Sequence, residues 1–342
     1  MSKTLKLKRR KGYRPLSYFE DKLILIKGSD LFLSDLELKD INHILRLPIN
    51  SNFKRLIGRL NIFSRLFRLN SSIGTVLQNK NLLLISKGGI FLCDLMKRKY
   101  IKENVSIKGN PFYLLESKLR KSVLIGDYTF NILKKKCSIY ERKSNGLWSI
   151  LFSFQQGDVN HIHSIHEDLK NNCFYILTGD FGTASSIWKA DLDFKNVYII
   201  SHHGQSTRAC WMTQDENYLY YASDRQDQIN YFYRLAKDFK SNPSPEALFP
   251  INGPSINFYK CNNSKFVFST VVEPISIKKN SFFALWDTRL PPGVLSKNMF
   301  IYYGSPEKGF KVIHISKKDF LPPRLFQFGD IYFPTGLNKS NY

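Results

Sequence analysis

The stretch Leu23-Ile-Leu-Ile-Lys-Gly-Ser-Asp-Leu-Phe-Leu-Ser-Asp-Leu36 aligns with Leu82-Leu-Leu-Ile-Ser-Lys-Gly-Gly-Ile-Phe-Leu-Cys-Asp-Leu95. Each copy reads as a strand, a tight glycine-containing turn and a second strand. Three further stretches end an apolar strand in a small residue and then an acid: Leu124-Ile-Gly-Asp127, Ile176-Leu-Thr-Gly-Asp180 and Tyr220-Tyr-Ala-Ser-Asp224. The unit returns roughly every 40 to 60 residues without intervening helices, and that period narrows the fold to an all-β single β-propeller.

The two aligned stretches correspond to the middle strands of a four-stranded blade. Later copies of the second strand start near Val123, Phe174, Tyr218, Phe266 and Ile331. A first strand precedes each at Ile73–Leu77, Phe112–Leu115, His161–Ile165, Arg208–Met212, Ser255–Tyr259 and Leu325–Phe328. The pair Leu325–Phe328 and Ile331–Phe333 is expected to close the ring against the N-terminal strands, which removes open sheet edges. Six blades completed by both termini are favoured, with seven as the alternative. The expected organisation is a basic tail over 1–14, a propeller over 15–336 and a short tail over 337–342. Residues 51–70 break the strand pattern. On a helical wheel Phe53, Leu56, Ile57, Leu60, Phe63 and Phe67 share one arc opposite Lys54, Arg55, Arg59, Arg65 and Arg68, although Gly58, Ile62, Leu66 and Leu69 blur the division. The segment reads as an inserted basic amphipathic helix, lying either across the blades or on a membrane interface.

The chain has 342 residues, 43% hydrophobic and 14% aromatic, enough to fill one large core. Its net charge of +23 is concentrated in residues 1–150, with 31 Lys+Arg against 11 Asp+Glu. That excess fits an anionic partner, or a genome whose base composition favours lysine codons. Cys93, Cys137, Cys173, Cys210 and Cys261 are odd in number, lack metal-site spacing and sit in apolar runs, so they read as buried reduced thiols. The basic N-terminus is not followed by an apolar stretch with a cleavage site, and no long uncharged apolar run exists, so a cytoplasmic protein with optional peripheral membrane attachment is expected.

In a propeller the starts of first strands and the ends of second strands meet at one face. Here that face is expected to gather Asp127, Asp180, Asp224 and Glu273 from strand ends. Asn160, His161, His163, Gln205, Arg208, Asn252 and Arg324 come from strand starts. This set can bind polyhydroxylated ligands or move protons. In Asn160-His-Ile-His-Ser-Ile-His166, His161 and His163 share one side of a strand and His166 takes the other. His161 and His163 could chelate a divalent metal with His202, His203 or Gln205, but hydrogen-bonded strand histidines are the simpler reading, and no metal or other cofactor is assigned. Asp180 and Asp224 form a conceivable acid–base pair, or else cap turns. Arg208 could neutralise a sugar carboxylate with His161 or His163 as base, or could bridge the carboxylates of adjacent blades. The serine-hydrolase elbow, the phosphate-binding loop, the dinucleotide fingerprint and the zinc-protease motif are all missing from the sequence.

Trp188-Lys-Ala-Asp-Leu-Asp193-Phe194-Lys195 and Tyr233-Arg-Leu-Ala-Lys-Asp238-Phe239-Lys240 repeat each other between third and fourth strands. They resemble the Asp-box, a folding turn, as does Ser144-Asn145-Gly146-Leu147-Trp148. Together with the run from Asn160 to Asp224, these motifs resemble bacterial sialidase/BNR-type propeller proteins. The arginine triad and Tyr-Glu nucleophile of sialidases cannot be assigned here residue by residue, so the resemblance implies the fold more than sialidase activity. Some of that group are associated with polysaccharide metabolism, which implies a glycan ligand. A looser likeness to propeller polysaccharide lyases rests on histidine and glutamine near the axis. The expected function is carbohydrate binding or processing, by glycoside hydrolase or polysaccharide lyase chemistry if catalytic. The alternative is a non-catalytic scaffold whose basic half docks on a partner protein or an anionic membrane, in part through 51–70. Aromatics that follow strand periodicity, rather than interleaving with basic runs, argue against nucleic acid.

Overall fold

The computed structural model describes residues 12–49, 61–66, 72–86, 88–111, 113–239, 242–261, 265–274 and 286–322, with Lys8, Arg10 and Leu325. They form six four-stranded antiparallel sheets, each built from strands consecutive in sequence, arranged as a six-bladed β-propeller. Blade 1 comprises β1 (Arg14–Phe19), β2 (Lys22–Lys27), β3 (Asp30–Ser34) and β4 (Ile41–Arg46). After α1 (Asn61–Leu66), blade 2 follows as β5 (Ile73–Val76), β6 (Leu82–Ser86), β7 (Gly89–Asp94) and β8 (Lys99–Lys102). Blade 3 holds β9 (Leu115–Ser117), β10 (Ser122–Gly126), β11 (Cys137–Arg142) and β12 (Trp148–Phe154). Blade 4 holds β13 (His161–Asp168), β14 (Cys173–Gly179), β15 (Ile187–Asp191) and β16 (Val197–Ser201). Blade 5 is β17 (Thr213–Gln214), β18 (Tyr218–Ala222), β19 (Asn230–Ala236) and β20 (Glu246–Ile251). Blade 6 is β21 (Ser255–Lys260), β22 (Phe266–Thr270), β23 (Asn298–Ser305) and β24 (Gly309–Lys317).

The second strands are apolar throughout because both of their faces are covered by neighbouring blades. Every residue of β6, β10, β14 and β22 is buried, whereas every residue of the fourth strand β8 is exposed. A strand buried on both faces reads as a continuous hydrophobic run rather than an alternating one. The core is accordingly a series of wedges between blades. Ile24, Ile26, Leu82, Leu84 and Phe91 fill the first wedge, and Leu83, Ile85, Val123 and Ile125 fill the next. Leu124, Ile162, Phe174 and Ile176 join blades 3 and 4, and Tyr175, Leu177, Leu219 and Tyr221 join blades 4 and 5. Trp211, Phe232, Phe268 and Tyr302 form the wedge of blades 5 and 6, with Trp211 stacked on Phe258 at 4.3 Å. Tyr18 of β1 meets Tyr259 of β21 edge-on at 6.5 Å, so blade 6 abuts blade 1 directly.

The repeat extends to single turns between third and fourth strands. Asp35 accepts the backbone N–H groups of Lys39 and Asp40, Asp94 those of Met96 and Lys97, and Asp191 that of Lys195 with one oxygen and Asn196 with the other. Each turn then passes through one left-handed residue: Leu38, Arg98 and Phe194, at φ 57°, 54° and 57°. The carboxylate compensates the strain by satisfying the turn's donors.

Several expectations shift. The first strand of blade 3 begins at Leu115 rather than Phe112, because the chain before it runs along the next turn, where Gly109 bridges Tyr128 and Lys108 N–H donates to Asp127. The strand expected over Arg208–Met212 is reduced to an isolated bridge, Ala209 to Ser223, followed by the short β17. Arg14–Phe19, partly assigned to a tail, is the first strand of blade 1. Blade 1 thus has four strands of its own. Of the pair expected to supply closure at the C-terminus, only Leu325 is described, and it lies in a turn. Within the segment 51–70, expected to form one helix, the described residues hold only the six-residue α1, with Ile62 and Phe63 exposed; Phe53, Leu56, Ile57, Leu60 and Phe67 lie outside the described residues. Among the described residues no helix is long and apolar enough to cross a membrane.

Candidate functional site

The strand ends and starts of blades 3, 4 and 5 build one polar cluster at the axial mouth. His161 and His163 open β13, and β13 pairs with β14 so that His161 lies opposite Gly179. A Cβ at Gly179 would stand 2.3 Å from His163 Cε1 and 2.5 Å from its Nε2, so the small residue before Asp180 is what lets the imidazole lie over the strand. His161 Nδ1 meets the Thr129 carbonyl at 3.1 Å, and His163 Nδ1 meets the Ala209 carbonyl at 2.8 Å. A carbonyl only accepts, so both Nδ1 atoms carry hydrogen. The two Nε2 atoms face each other at 2.9 Å, and Asp180 Oδ1 lies 3.3 Å from that of His161 and 3.6 Å from that of His163.

Arg208 crosses between blades. Its Nη2 is 3.3 Å from Asp180 Oδ1 and 3.3 Å from Asp224 Oδ2, so one nitrogen bridges the acids that end β14 and β18. This is the bridging one of the two roles open to Arg208, and it leaves Nε and Nη1 buried without a partner among the described residues. Cys210 donates its thiol to Asp224 Oδ2 at 3.3 Å, while Asp224 Oδ1 is unpaired. Gln205 donates Nε2 to the Asp180 carbonyl at 2.6 Å and leaves Oε1 unpaired. Asn160 receives the Asp180 N–H at 3.1 Å. The ring of Phe181, 58% exposed, lies 5.5 Å from the Arg208 guanidinium, and Tyr128 packs 4.4 Å from His161.

The electrostatics follow from burial and surplus acid. Burial alone would raise the Asp180 carboxyl, but contact with His161 and His163 and the charge of Arg208 outweigh it and hold the group well below the usual carboxylate range. Asp224 moves the other way: burial raises it, Arg208 opposes, and Glu273 and Asp180 add to the rise. Burial pushes His163 down to about 4 against the pull of Asp180. For Arg208, burial is outweighed by Asp224, Asp180 and Glu273, which fix its positive charge. Burial beside Asp224 raises the Cys210 thiol and keeps it protonated.

The structure thus brings together His161, His163, Asp180, Arg208, Asp224, Asn160 and Gln205, with Glu273 at the edge accepting from Gln226. Asp127 is not part of the open mouth: it is fully buried, and its two oxygens accept the N–H groups of Lys108 and Ser138. Asn252 is engaged by the Tyr302 hydroxyl at 2.8 Å, and His203 by the Asn242 carbonyl at 3.0 Å. His166 faces away from the pair, toward Tyr113 and Ser164. Arg324 lies outside the described residues. Sequence reasoning passed over Tyr128 and Phe181 and gave Cys210 no part in the site. Tyr128 and Phe181 share a usable signal, since each immediately follows the acid that ends a second strand.

No protein-family profile and no curated protein matches the chain. Among solved structures it is similar to a chain of a mitotic checkpoint complex, at 6% identity and TM-score 0.50 over 90% of this chain and 80% of that one. It is also similar to a provisionally assigned 6-phosphogluconolactonase from Bacteroides uniformis, at 12% identity and TM-score 0.50 over 89% and 85% of the two chains. A provisionally assigned TolB from Agrobacterium tumefaciens gives 13% identity and TM-score 0.49 over 88% and 96%. At these identities the likeness is one of fold.

Proposed function

We propose that this six-bladed propeller binds a sugar-containing ligand at the axial mouth of blades 3 to 5. One observation carries the reading. Four buried polar atoms there, Gln205 Oε1, Arg208 Nε, Arg208 Nη1 and Asp224 Oδ1, have no partner among the described residues, and the exposed Phe181 ring stands beside them. Buried donors and acceptors without partners are costly, and a ligand bearing several hydroxyls supplies both kinds. An exposed aromatic face next to such groups suits the apolar face of a sugar ring. Processing of the ligand belongs to the same proposal, with Asp180, more exposed than Asp224, as the group that reaches it. Kinship with sialidase/BNR-type propellers is part of this reading and rests on the sequence motifs at 144–148, 188–195 and 233–240.

The test is a panel of acidic and neutral glycans incubated with purified protein, read for retention of intact glycan and for new reducing or unsaturated ends. Retention lost in Phe181→Ser and Gln205→Ala supports the site, and new ends lost in Asp180→Asn make it catalytic. Silence of the whole panel removes the carbohydrate reading.

A second reading has its own observation. Phe130, Ile132 and Leu133 are 86%, 70% and 71% exposed on the loop after β10, next to Lys134, Lys135 and Lys136. Exposed apolar side chains beside lysines fit an anionic membrane surface. Co-sedimentation with anionic vesicles, abolished by Phe130→Ser with Leu133→Ser, would support that docking role; equal sedimentation of both forms would remove it.

A further inference from the structure

We infer that His161, His163 and Asp180 form a binding site for a divalent first-row transition metal such as Zn²⁺ or Mn²⁺. Each Nδ1–H is committed to a backbone carbonyl, of Thr129 for His161 and of Ala209 for His163, so neutral rings present lone pairs at Nε2. Those lone pairs converge at 2.9 Å, and Asp180 Oδ1, an acceptor when ionised, completes the triangle at 3.3 and 3.6 Å. Three electron-rich atoms held this close require a cation among them.

The dimensions suit a metal. For metal–ligand bonds of about 2.0–2.1 Å, ligand atoms are separated by about 2.9 Å at right angles and about 3.3 Å in a tetrahedron. The edges observed here run from 2.9 to 3.6 Å. Imidazole donors committed through their second nitrogen to a carbonyl are oriented as metal-binding histidines are. Two imidazoles with one carboxylate favour a transition metal over Mg²⁺ or Ca²⁺, which prefer all-oxygen shells.

Arg208 Nη2 also touches Asp180 Oδ1, but a carboxylate oxygen has a second lone pair. The neighbourhood has charge to spare, since Asp180, Asp224 and Glu273 face one guanidinium. A second group of donors, His163, Cys210 and Asp224, is also close together, but its thiol is already donating to Asp224 and is less suited to bind. The rival for the triangle is a single proton shared by the two Nε2 atoms.

The experiment needs no sugar, so its outcome is independent of the ligand proposed above. Chelator-treated protein is titrated with Zn²⁺ and Mn²⁺ by calorimetry, with metal content determined after gel filtration. Co²⁺ absorption and histidine ¹⁵N NMR report on the donors. The expected result is one equivalent bound, with both Nε2 resonances shifting. Affinity falls at least tenfold in Asp180→Asn and His163→Ala and is unchanged in Cys210→Ser. Circular dichroism checks the fold of each variant, and if the histidine variants do not fold, the NMR shifts of the wild-type protein decide. The inference is overturned if wild-type protein binds no more metal than Asp180→Asn. It is equally overturned if NMR shows a proton between the Nε2 atoms that metal does not displace.

Discussion

At the scale of single residues, Gly179 and Arg208 bear the tightest constraints in the mouth. Gly179→Ala would drive a Cβ into the His163 ring, and a ring clamped between β14 and the Ala209 carbonyl has little room to yield. The expected loss is about 1–3 kcal/mol, measured by urea denaturation and accompanied by displaced His163 resonances. Arg208→Met removes a cation that bridges two carboxylates, leaving buried charge uncompensated. A loss of about 3–5 kcal/mol is expected. An unchanged denaturation midpoint would show that Arg208 does not hold blades 4 and 5 together. His166 supplies a pH dependence of its own. Burial pushes it down to about 3, so the folded state resists a proton that the unfolded chain accepts near its ordinary pKa of about 6.5. Its contribution is intact above that value and is lost as pH falls from about 6.5 toward 3. Between pH 7 and pH 5 the loss is about 1–2 kcal/mol, and His166→Gln should flatten that part of the pH–stability profile.

At the scale of elements, the blade is a strand pattern with a capped turn. Asp191 satisfies the turn donors of Lys195 and Asn196, whereas Asp193, two residues on, reaches only Arg120 at 3.9 Å. Asp191→Ala should therefore lower Tm and Asp193→Ala leave it nearly unchanged, and equal effects would show that the carboxylate does not hold the turn. The same anatomy explains what could be read in the sequence. Second strands such as β6 and β14 were legible because burial on both faces makes them unbroken apolar runs. The outermost β8, Lys99–Lys102, carries no such signal because all of it faces solvent. β1 was partly obscured by the basic run before it and by Pro15, and the first strand of blade 5 by its interrupted ladder. The acids ending β14 and β18 were visible as a repeat, but whether Arg208 was open to a ligand or bridged them depends on the spacing between blades, which no local pattern encodes.

At the scale of the whole molecule, six blades pack as wedges and the ring closes where Tyr18 meets Tyr259. The propeller brings residues distant in sequence, Thr129, His161, Asp180, Arg208 and Asp224, to one mouth, and leaves polar atoms there without partners among the described residues. Asp127 shows the limit of reasoning from the repeat alone. It occupies the same position as Asp180 and Asp224, yet its turn folds over it and consumes both oxygens. Occupancy of the mouth of blades 3 to 5 by a sugar-containing ligand is the proposal on which the functional reading depends. Its most direct test is retention of a glycan panel by wild-type protein compared with Phe181→Ser and Gln205→Ala, with folding of each checked by circular dichroism. Wild-type protein is expected to retain at least one glycan class and both variants to lose it. Failure of the folded wild-type protein to retain any glycan, or undiminished retention by both variants, would contradict it.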